Sequence, residues 1–350
     1  MKSNYDILGN HIRLIDTRNR ESITDRVLGI NIDKFFMPSV ANVIGTDLSK
    51  YKLITKGKFA CNPMHVGRDE RLPVALYDEE EPAIVSPAYF MFEVIDNSIL
   101  NEDYLMMWFR RPEFDRICWL HTDGSVRGGI TWDDICRLEL PVPTIEKQLE
   151  IVNSYKAVTE RIALKQRIND NLESMLTAVY FEQFYSSKAS EYTKLSDLMV
   201  FGNGKSRPKT NGTIPVYGGN GILSYTNKYN AENIVLIGRV GAYCGSVYLE
   251  QSICWVSDNA IFAKSKITND EFFDYFLLKG LNLFNHHVGT GQQLLTQDIL
   301  NNIEVPNPDI EQIGLFNMKA KSVFETISAN KCEIIRLQKL SDLLLARLAS

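Results

Sequence analysis

The sequence lacks any apolar run near the ~18–20 residues that a membrane-spanning helix requires, and its opening Met1-Lys2-Ser3-Asn4-Tyr5-Asp6 lacks the apolar core of a signal peptide. A cytoplasmic protein is expected. It also lacks a Cys-x-x-Cys pair. The six cysteines (Cys61, Cys118, Cys136, Cys244, Cys254, Cys332) are scattered, and the adjacent His286 and His287 have no cysteine near them. That pattern argues against a disulfide framework and a zinc site alike. Nor is there an excess of positive charge: 38 Lys and Arg stand against 43 Asp and Glu, for a net −5. Any surface for a polyanion has to be local.

What is present is ordinary globular composition, 45% hydrophobic and 10% aromatic over 350 residues, enough for two or three domains. The chain also repeats itself. Leu138-Glu139-Leu140-Pro141-Val142-Pro143-Thr144-Ile145-Glu146 returns 165 residues later as Ile303-Glu304-Val305-Pro306-Asn307-Pro308-Asp309-Ile310-Glu311. At the same offset Thr131 and Asp133 fall on Thr296 and Asp298, Gly124 on Gly289, and His121 on His286. With a six-residue adjustment Val85-Ser86 matches Val256-Ser257, and Asp103-Tyr104 matches Asp274-Tyr275. About half of the chain is duplicated.

After each proline pair the pattern turns helical. Thr144 is placed as an N-cap, Asp309 followed by Gln312 fits a capping box, and Glu146 and Glu311 lie in first turns where the macrodipole favours acid. Alternating steps of four and three give Ile151, Tyr155, Val158, Ile162, Lys165, Asn169, Leu172, Leu176 and Val179. The second copy gives Phe316, Ala320, Val323, Ile327, Asn330, Ile334, Leu337, Ser341 and Leu344. A 3.5-residue period held this long asks for a coiled-coil partner, and the nearest partner is the other copy. A helix from Glu146 to Gln183 would be ~57 Å long at ~1.5 Å per residue. Lys165 and Asn330 place a polar residue at the same seam position of both helices, where it could fix register or simply be tolerated.

Before each helix lies a stretch of short β-like runs. The first has strands near Lys58–Cys61, Val74–Tyr77 and Tyr89–Val94 and a helix near Glu102–Phe109. The second has strands near Asn233–Ile237, Ser252–Val256 and Ala260–Ala263 and a helix near Asp270–Leu281. Ser186–Glu191, small and polar, has linker composition.

Motifs of self-contained catalysis are missing. Gly204-Lys205-Ser206 is not a P-loop, because Met199 occupies the position of the required leading glycine. Asn62-Pro63-Met64 lacks the second proline and the aromatic of the amino-methyltransferase motif. Asp78-Glu79-Glu80-Glu81 runs into Pro82 and reads as a solvated turn rather than a metal-binding nuclease cluster. No Gly-x-Ser-x-Gly elbow stands out.

Binding chemistry is better represented. Residues 201–230 carry Lys205, Arg207, Lys209 and Lys228 and no acid, and they read as a basic loop with glycines that let backbone approach phosphates. Tyr217, Asn220 and Arg239 add groups able to bond base edges, and Arg can bond guanine O6 and N7 bidentately. A glycine and arginine turn follows a β-like run in both halves, at Gly67-Arg68 and Gly238-Arg239. The competing reading is a structural turn whose arginine pairs with Asp69 or Asp258. Arg127, near His121 and Asp123, lies in another candidate loop whose copy contains Gly291-Gln292-Gln293.

Together these stretches resemble the specificity (S) subunit of type I restriction-modification enzymes, over nearly the whole chain. The resemblance rests on Ile214-Pro215-Val216-Tyr217-Gly218-Gly219-Asn220-Gly221, Ile237-Gly238-Arg239-Val240-Gly241-Ala242-Tyr243-Cys244-Gly245 and Cys254-Trp255-Val256-Ser257-Asp258-Asn259-Ala260. In the first half it rests on Asn62-Pro63-Met64-His65-Val66-Gly67-Arg68 and Ser86-Pro87-Ala88-Tyr89, and on the Leu-Pro-Val-Pro entry to a long helix. The plan implied is α+β: two globular α/β target-recognition domains (1–143 and 192–308) in pseudo-twofold tandem repeat, separated by two long antiparallel coiled-coil helices (144–185 and 309–350), with a linker at 186–191. The resemblance also implies a non-catalytic DNA-recognition subunit reading a split target. Two DNA-methyltransferase (M) subunits would dock on the helices and restriction (R) subunits would join the full complex. S-adenosylmethionine and ATP with magnesium would be bound by those partners. The DNA-contacting residues expected are Arg68 and Arg127 in the first domain, and Lys205, Arg207, Lys209, Tyr217, Asn220, Arg239 and Tyr243 in the second. The rival reading is a non-catalytic assembly scaffold that uses its coiled coil to recruit proteins.

Overall fold

Each proline pair of the repeat ends a short strand that pairs with the first strand of its own half. In the computed structural model, which describes residues 5–41, 43–64, 66–122, 128–185, 191–289 and 291–348, Tyr5–Ile7 pairs antiparallel with Glu139–Pro141, setting Tyr5 against Pro141. Tyr192–Lys194 pairs in the same way with Glu304–Pro306, setting Tyr192 against Pro306. A threonine caps the helix just upstream in both copies. Thr131 Oγ1 accepts from Asp134 N (3.1 Å) to start Trp132–Cys136, and Thr296 Oγ1 accepts from Ile299 N (3.2 Å) to start Gln297–Asn301. Each cap satisfies an amide that the helix leaves unpaired. The chain forms two compact units, residues 1–164 with 333–350, and residues 165–332.

The first unit contains two four-stranded sheets. One, in the order Ile12–Ile15, Phe90–Val94, Lys58–Cys61, Val74–Tyr77, is antiparallel throughout. The other runs Phe36–Pro38, Val27–Ile30, Ala83–Val85, Lys52–Ile54, with the middle pair parallel. Strand alternation sends Phe59 and Phe92, stacked at 5.0 Å, toward helix Glu102–Phe109, where Phe109 meets both rings edge-on. Ala60, Tyr77 and Met91 instead pack with Leu28, Ile54 and Val85 of the second sheet. Beside this core a buried lysine, Lys34 (5% exposed), donates to Asp115 Oδ1 at 2.7 Å and to the Phe109 carbonyl.

Two helices far longer than the others supply the rest of the structure, Ile145–Phe184 and Ile310–Arg347, at 40 and 38 residues. Asp309 Oδ1 accepts from Glu311 N at 2.8 Å and so opens the second. In the first unit Val152 and Tyr155 share a core with Leu345 and Leu348, while Arg161 pairs with Glu333 (2.5 Å), so the two helices run antiparallel there. Gln148, fully buried, joins helix to globule: its side chain accepts from Asn101 N (2.9 Å) and donates to the Ile99 carbonyl (2.8 Å).

The second unit has a single six-stranded sheet in the order Met199–Asn203, Ala260–Ser265, Ala231–Gly238, Val247–Val256, Ile214–Gly218, Gly221–Thr226. Only Ile214–Gly218 and Val247–Val256 pair parallel. Helix Phe272–Gly280, buried from Phe272 to Leu278, packs on the sheet and on aromatic residues of the long helices. The rings of Phe184 and Phe273 lie 4.9 Å apart, and those of Phe276 and Phe316 lie 5.6 Å apart. Asn317 plays the part of Gln148, accepting from Phe273 N at 2.8 Å. Here too the helices are antiparallel, with Tyr180 on Phe316 and Asn169 on Asn330.

All of the seam positions read from the sequence are buried or half-buried: Ile151, Tyr155, Val158, Ile162, Leu172, Leu176 and Val179 on the first helix, and Phe316, Val323, Ile327, Ile334, Leu337 and Leu344 on the second. Val152, Tyr180, Phe184 and Ile313 are buried as well, although they fall off the heptad, because the helix ends also face the globular cores. The reading of 201–230 as a loop is corrected: Met199–Asn203 and the hairpin Ile214–Gly218 with Gly221–Thr226 are strands of the sheet. The linker assignment falls on residues that lie largely outside those described.

Candidate nucleic-acid interface

In the second unit several strand ends meet. Ser246 Oγ donates to the Gly219 carbonyl (2.5 Å), Arg239 N donates to the Asn259 carbonyl (3.0 Å), and Lys205 N donates to the Val256 carbonyl (2.9 Å). These bonds join the hairpin turn Gly219-Asn220, the Gly238-Arg239 turn, the Ser257–Asn259 turn and the start of the basic segment. The approach is close enough that a Cβ at Gly238 would collide with the Tyr243 carbonyl and Ser246 Oγ. Glycine is needed there for backbone to pack on backbone.

Lys205, Arg207 and Lys209 are exposed, and among the described residues none has a carboxylate partner. Asn220 is exposed at the hairpin tip, and Tyr243, 51% exposed, sits in the short 3-10 turn Gly241–Tyr243 beside Gly219. Arg239 is half-buried, and its Nε is buried without a hydrogen-bond partner among the described residues. It makes no ion pair with Asp258 among them.

Tyr217 departs from expectation. It is 8% exposed, packs with Ile234, Leu236 and Val256, and its hydroxyl donates to Glu250 Oε2 at 2.8 Å. Burial, and then the facing carboxylate, raise its phenol pKa far above the usual value. It supports the hairpin from inside and is not placed to read a base.

Arg68 departs as well. In the first unit it is exposed on the single turn Val66–Asp69, but its guanidinium forks onto Asp69 through Nε–Oδ1 (2.6 Å) and Nη2–Oδ2 (2.9 Å). The structural reading of that turn is the one realised. Arg127 lies outside the described residues.

The sequence reading missed the segment after the helix Phe272–Gly280. Leu295 N donates to the Arg239 carbonyl (2.9 Å) and Gly241 N donates to the Gln293 carbonyl (3.0 Å), so residues 293–295 form one wall of the same cluster. The signal available was a second stretch without acid, Tyr275 to Gln297. Among the described residues there is no cluster of His, Cys, Asp or Glu able to hold a metal ion, and no helix long and apolar enough to cross a membrane.

No curated protein sequence matches the chain. The crystal structure of a type I restriction-modification system S subunit from M. genitalium aligns over 98% of this chain and 95% of its own, with a TM-score of 0.62 and 16% identity, a likeness of fold. A chain from a structure described as the basis of complex assembly and conformational transition of the type I R-M system aligns over 99% of this chain and 97% of its own, at 16% identity and a TM-score of 0.49. The HsdS subunit from Thermoanaerobacter tengcongensis aligns over 98% and 95%, at 16% identity and a TM-score of 0.35. The last two scores are too low to bear on the argument. Residues 188–341 match the family described as the type I restriction modification DNA specificity domain. Residues 188–341 are thus similar to the type I restriction modification DNA specificity domain, within a chain whose fold resembles along its length that of a type I S subunit.

Proposed function

We propose that this chain is the sequence-reading subunit of a type I restriction-modification enzyme, with one globule for each half of a split DNA target. The observation that carries the reading is the basic segment of the second unit, where Lys205, Arg207 and Lys209 stand exposed without a carboxylate partner among the described residues, within the matched specificity domain. Unpaired cations supply phosphate contacts, and amide and guanidinium groups supply base contacts. The first unit has a different sheet arrangement, which supports two unlike half-sites rather than a palindrome.

The long helices carry apolar side chains that nothing in their own unit covers: Ile335, Leu340 and Leu343 in the first unit, and Ile310, Leu315 and Met318 in the second. These are the surfaces we assign to two methyltransferase subunits, through which restriction subunits join. S-adenosylmethionine and ATP with magnesium belong to those partners, and this chain contributes recognition and no catalysis. A protein scaffold has no need of the unpaired basic surface, which favours the DNA reading. The test is adenine methylation mapped genome-wide by single-molecule sequencing, in cells carrying the companion methyltransferase gene with and without this chain. A split motif present only with the chain supports the reading; its absence, with the partner expressed and folded, leaves the scaffold.

A further inference from the structure

We infer that the segment 291–294, held against Val288, is a third base-reading element of the second unit, and that Gln292 is its adenine-specifying residue. The inference rests on the DNA-recognition reading above.

The segment is pinned at its ends. Val288 and Leu294 exchange both backbone hydrogen bonds, each 2.9 Å. Gly289 has φ +94°, and a Cβ there would run into the Gln292 carbonyl, so position 289 requires glycine. The segment is also fastened to the candidate interface. Val240 bridges to Leu294, Gly241 N donates to the Gln293 carbonyl and Leu295 N to the Arg239 carbonyl. Behind it, the backbone of Gly245 lies against that of Leu283 and Phe284. Gln292 is thus presented from a rigid support next to Arg239 and Tyr243, and its side chain is exposed.

Charge points to the same ligand. Asn233–Leu249 and Tyr275–Gln297 both lack Asp and Glu, so of the segments that meet at the Arg239 turn only Ser257–Asn259 brings a carboxylate, that of Asp258. Gln292 carries a neutral donor and acceptor in one plane, the pair that matches N6 and N7 of adenine in the major groove. Phe284 and His286, on the preceding turn Leu283–His286, are exposed as well.

The experiment is the methylation map repeated with the full chain bearing Gln292→Ala or Gln292→Glu. With Gln292→Ala, one adenine position of one half-site is expected to relax, with discrimination there falling about ten- to a hundredfold. The other half-site and the spacer should be unchanged, which also reports that the variant is folded. With Gln292→Glu, the same position is expected to shift toward cytosine, whose N4 amine a carboxylate accepts. An unchanged motif in both variants overturns the role of Gln292 while leaving DNA recognition intact. Weaker methylation with an unchanged motif makes Gln292 a backbone contact and overturns it equally. No motif even with the unaltered chain removes the broader reading, and this one with it.

Discussion

Lys165 donates its ammonium to Asn330 Oδ1 at 2.8 Å, and the Asn330 amide in turn donates to Asn169 Oδ1 at 2.8 Å. Lys165 and Asn330 occupy equivalent positions in the two copies of the repeat, so the seam places a residue against its own counterpart. In the same unit the seam is otherwise apolar, with Leu172 half-buried and Ile327 buried. A polar cluster in such a seam stabilises one alignment of the helices over alignments that would strand it.

Asn330→Leu should therefore lower stability by about 1–3 kcal/mol, because it removes the shared partner of Lys165 and Asn169. Replacing all three residues by leucine should recover that loss or exceed it. Chemical denaturation of the single and triple variants checks this, and a triple variant less stable than the single one would contradict it.

In the first unit, the Lys34 and Asp115 pair is a buried ion pair in which Asp115 also accepts from Leu72 N at 3.1 Å. Burial lowers the pKa of Lys34, and Asp115 opposes that shift. Asp115→Ala strands the ammonium against the Phe109 carbonyl, and we expect a loss of about 3–5 kcal/mol. Thermal unfolding should report it; a change under about 1 kcal/mol would show that the pair is solvated.

The second unit should weaken as pH rises from about 4 to about 8. Asp274, 2% exposed, is pushed up to about 8 by burial, with Glu271 adding to the shift and Ser265 opposing it. Glu271 is itself raised by burial, against the pull of Lys264 at 3.2 Å. Between the unfolded value of 3.8 and about 8 the unfolded chain has released a proton that the folded chain keeps. Stability then falls with rising pH, by at most about 1.4 kcal/mol per unit, and levels off above the folded value. Asp274→Asn should be more stable than the unaltered chain at pH 8, with the gap closing by pH 4. Melting curves at the two pH values decide it, and an equal gap at both would falsify the assignment.

DNA binding should separate Tyr217 from the basic segment. Tyr217→Phe costs about 1 kcal/mol of stability by releasing Glu250 and leaves the recognised sequence unchanged. Arg207→Ala lowers affinity for all sequences alike and reduces the slope of log K against log salt by about one. Titrations at several salt concentrations distinguish the two, and a changed motif in Tyr217→Phe would restore it as a reader.

The long helices were legible because a 3.5-residue period repeats over many turns, and Lys58–Cys61, Val74–Tyr77 and Glu102–Phe109 were legible as local patterns. The hairpin Ile214–Thr226 was not. Pro215 and the run Gly218-Gly219-Asn220-Gly221 carry the marks of a loop, yet Pro215 lies just outside the parallel pairing of Val216 and Tyr217 with Trp255 and Val256, where a missing amide costs no bond. Local composition likewise could not show that Tyr217 turns inward to Glu250, a partner 33 residues away. Asp69 lay beside Arg68 in the sequence, but whether the arginine turned to it or to a ligand was a question of side-chain geometry.

The small strand pairs at Tyr5–Ile7 with Glu139–Pro141, and at Tyr192–Lys194 with Glu304–Pro306, bring the chain into each globule and out again at one spot. Such a body is a graft on a fixed stem. Its interior can be exchanged wholesale for another whose ends meet in the same three-residue pair, without altering the helix that follows. On the proposed DNA-reading role, an exchange across two short borders would carry a whole recognition body over in one step, with every reading residue already in place.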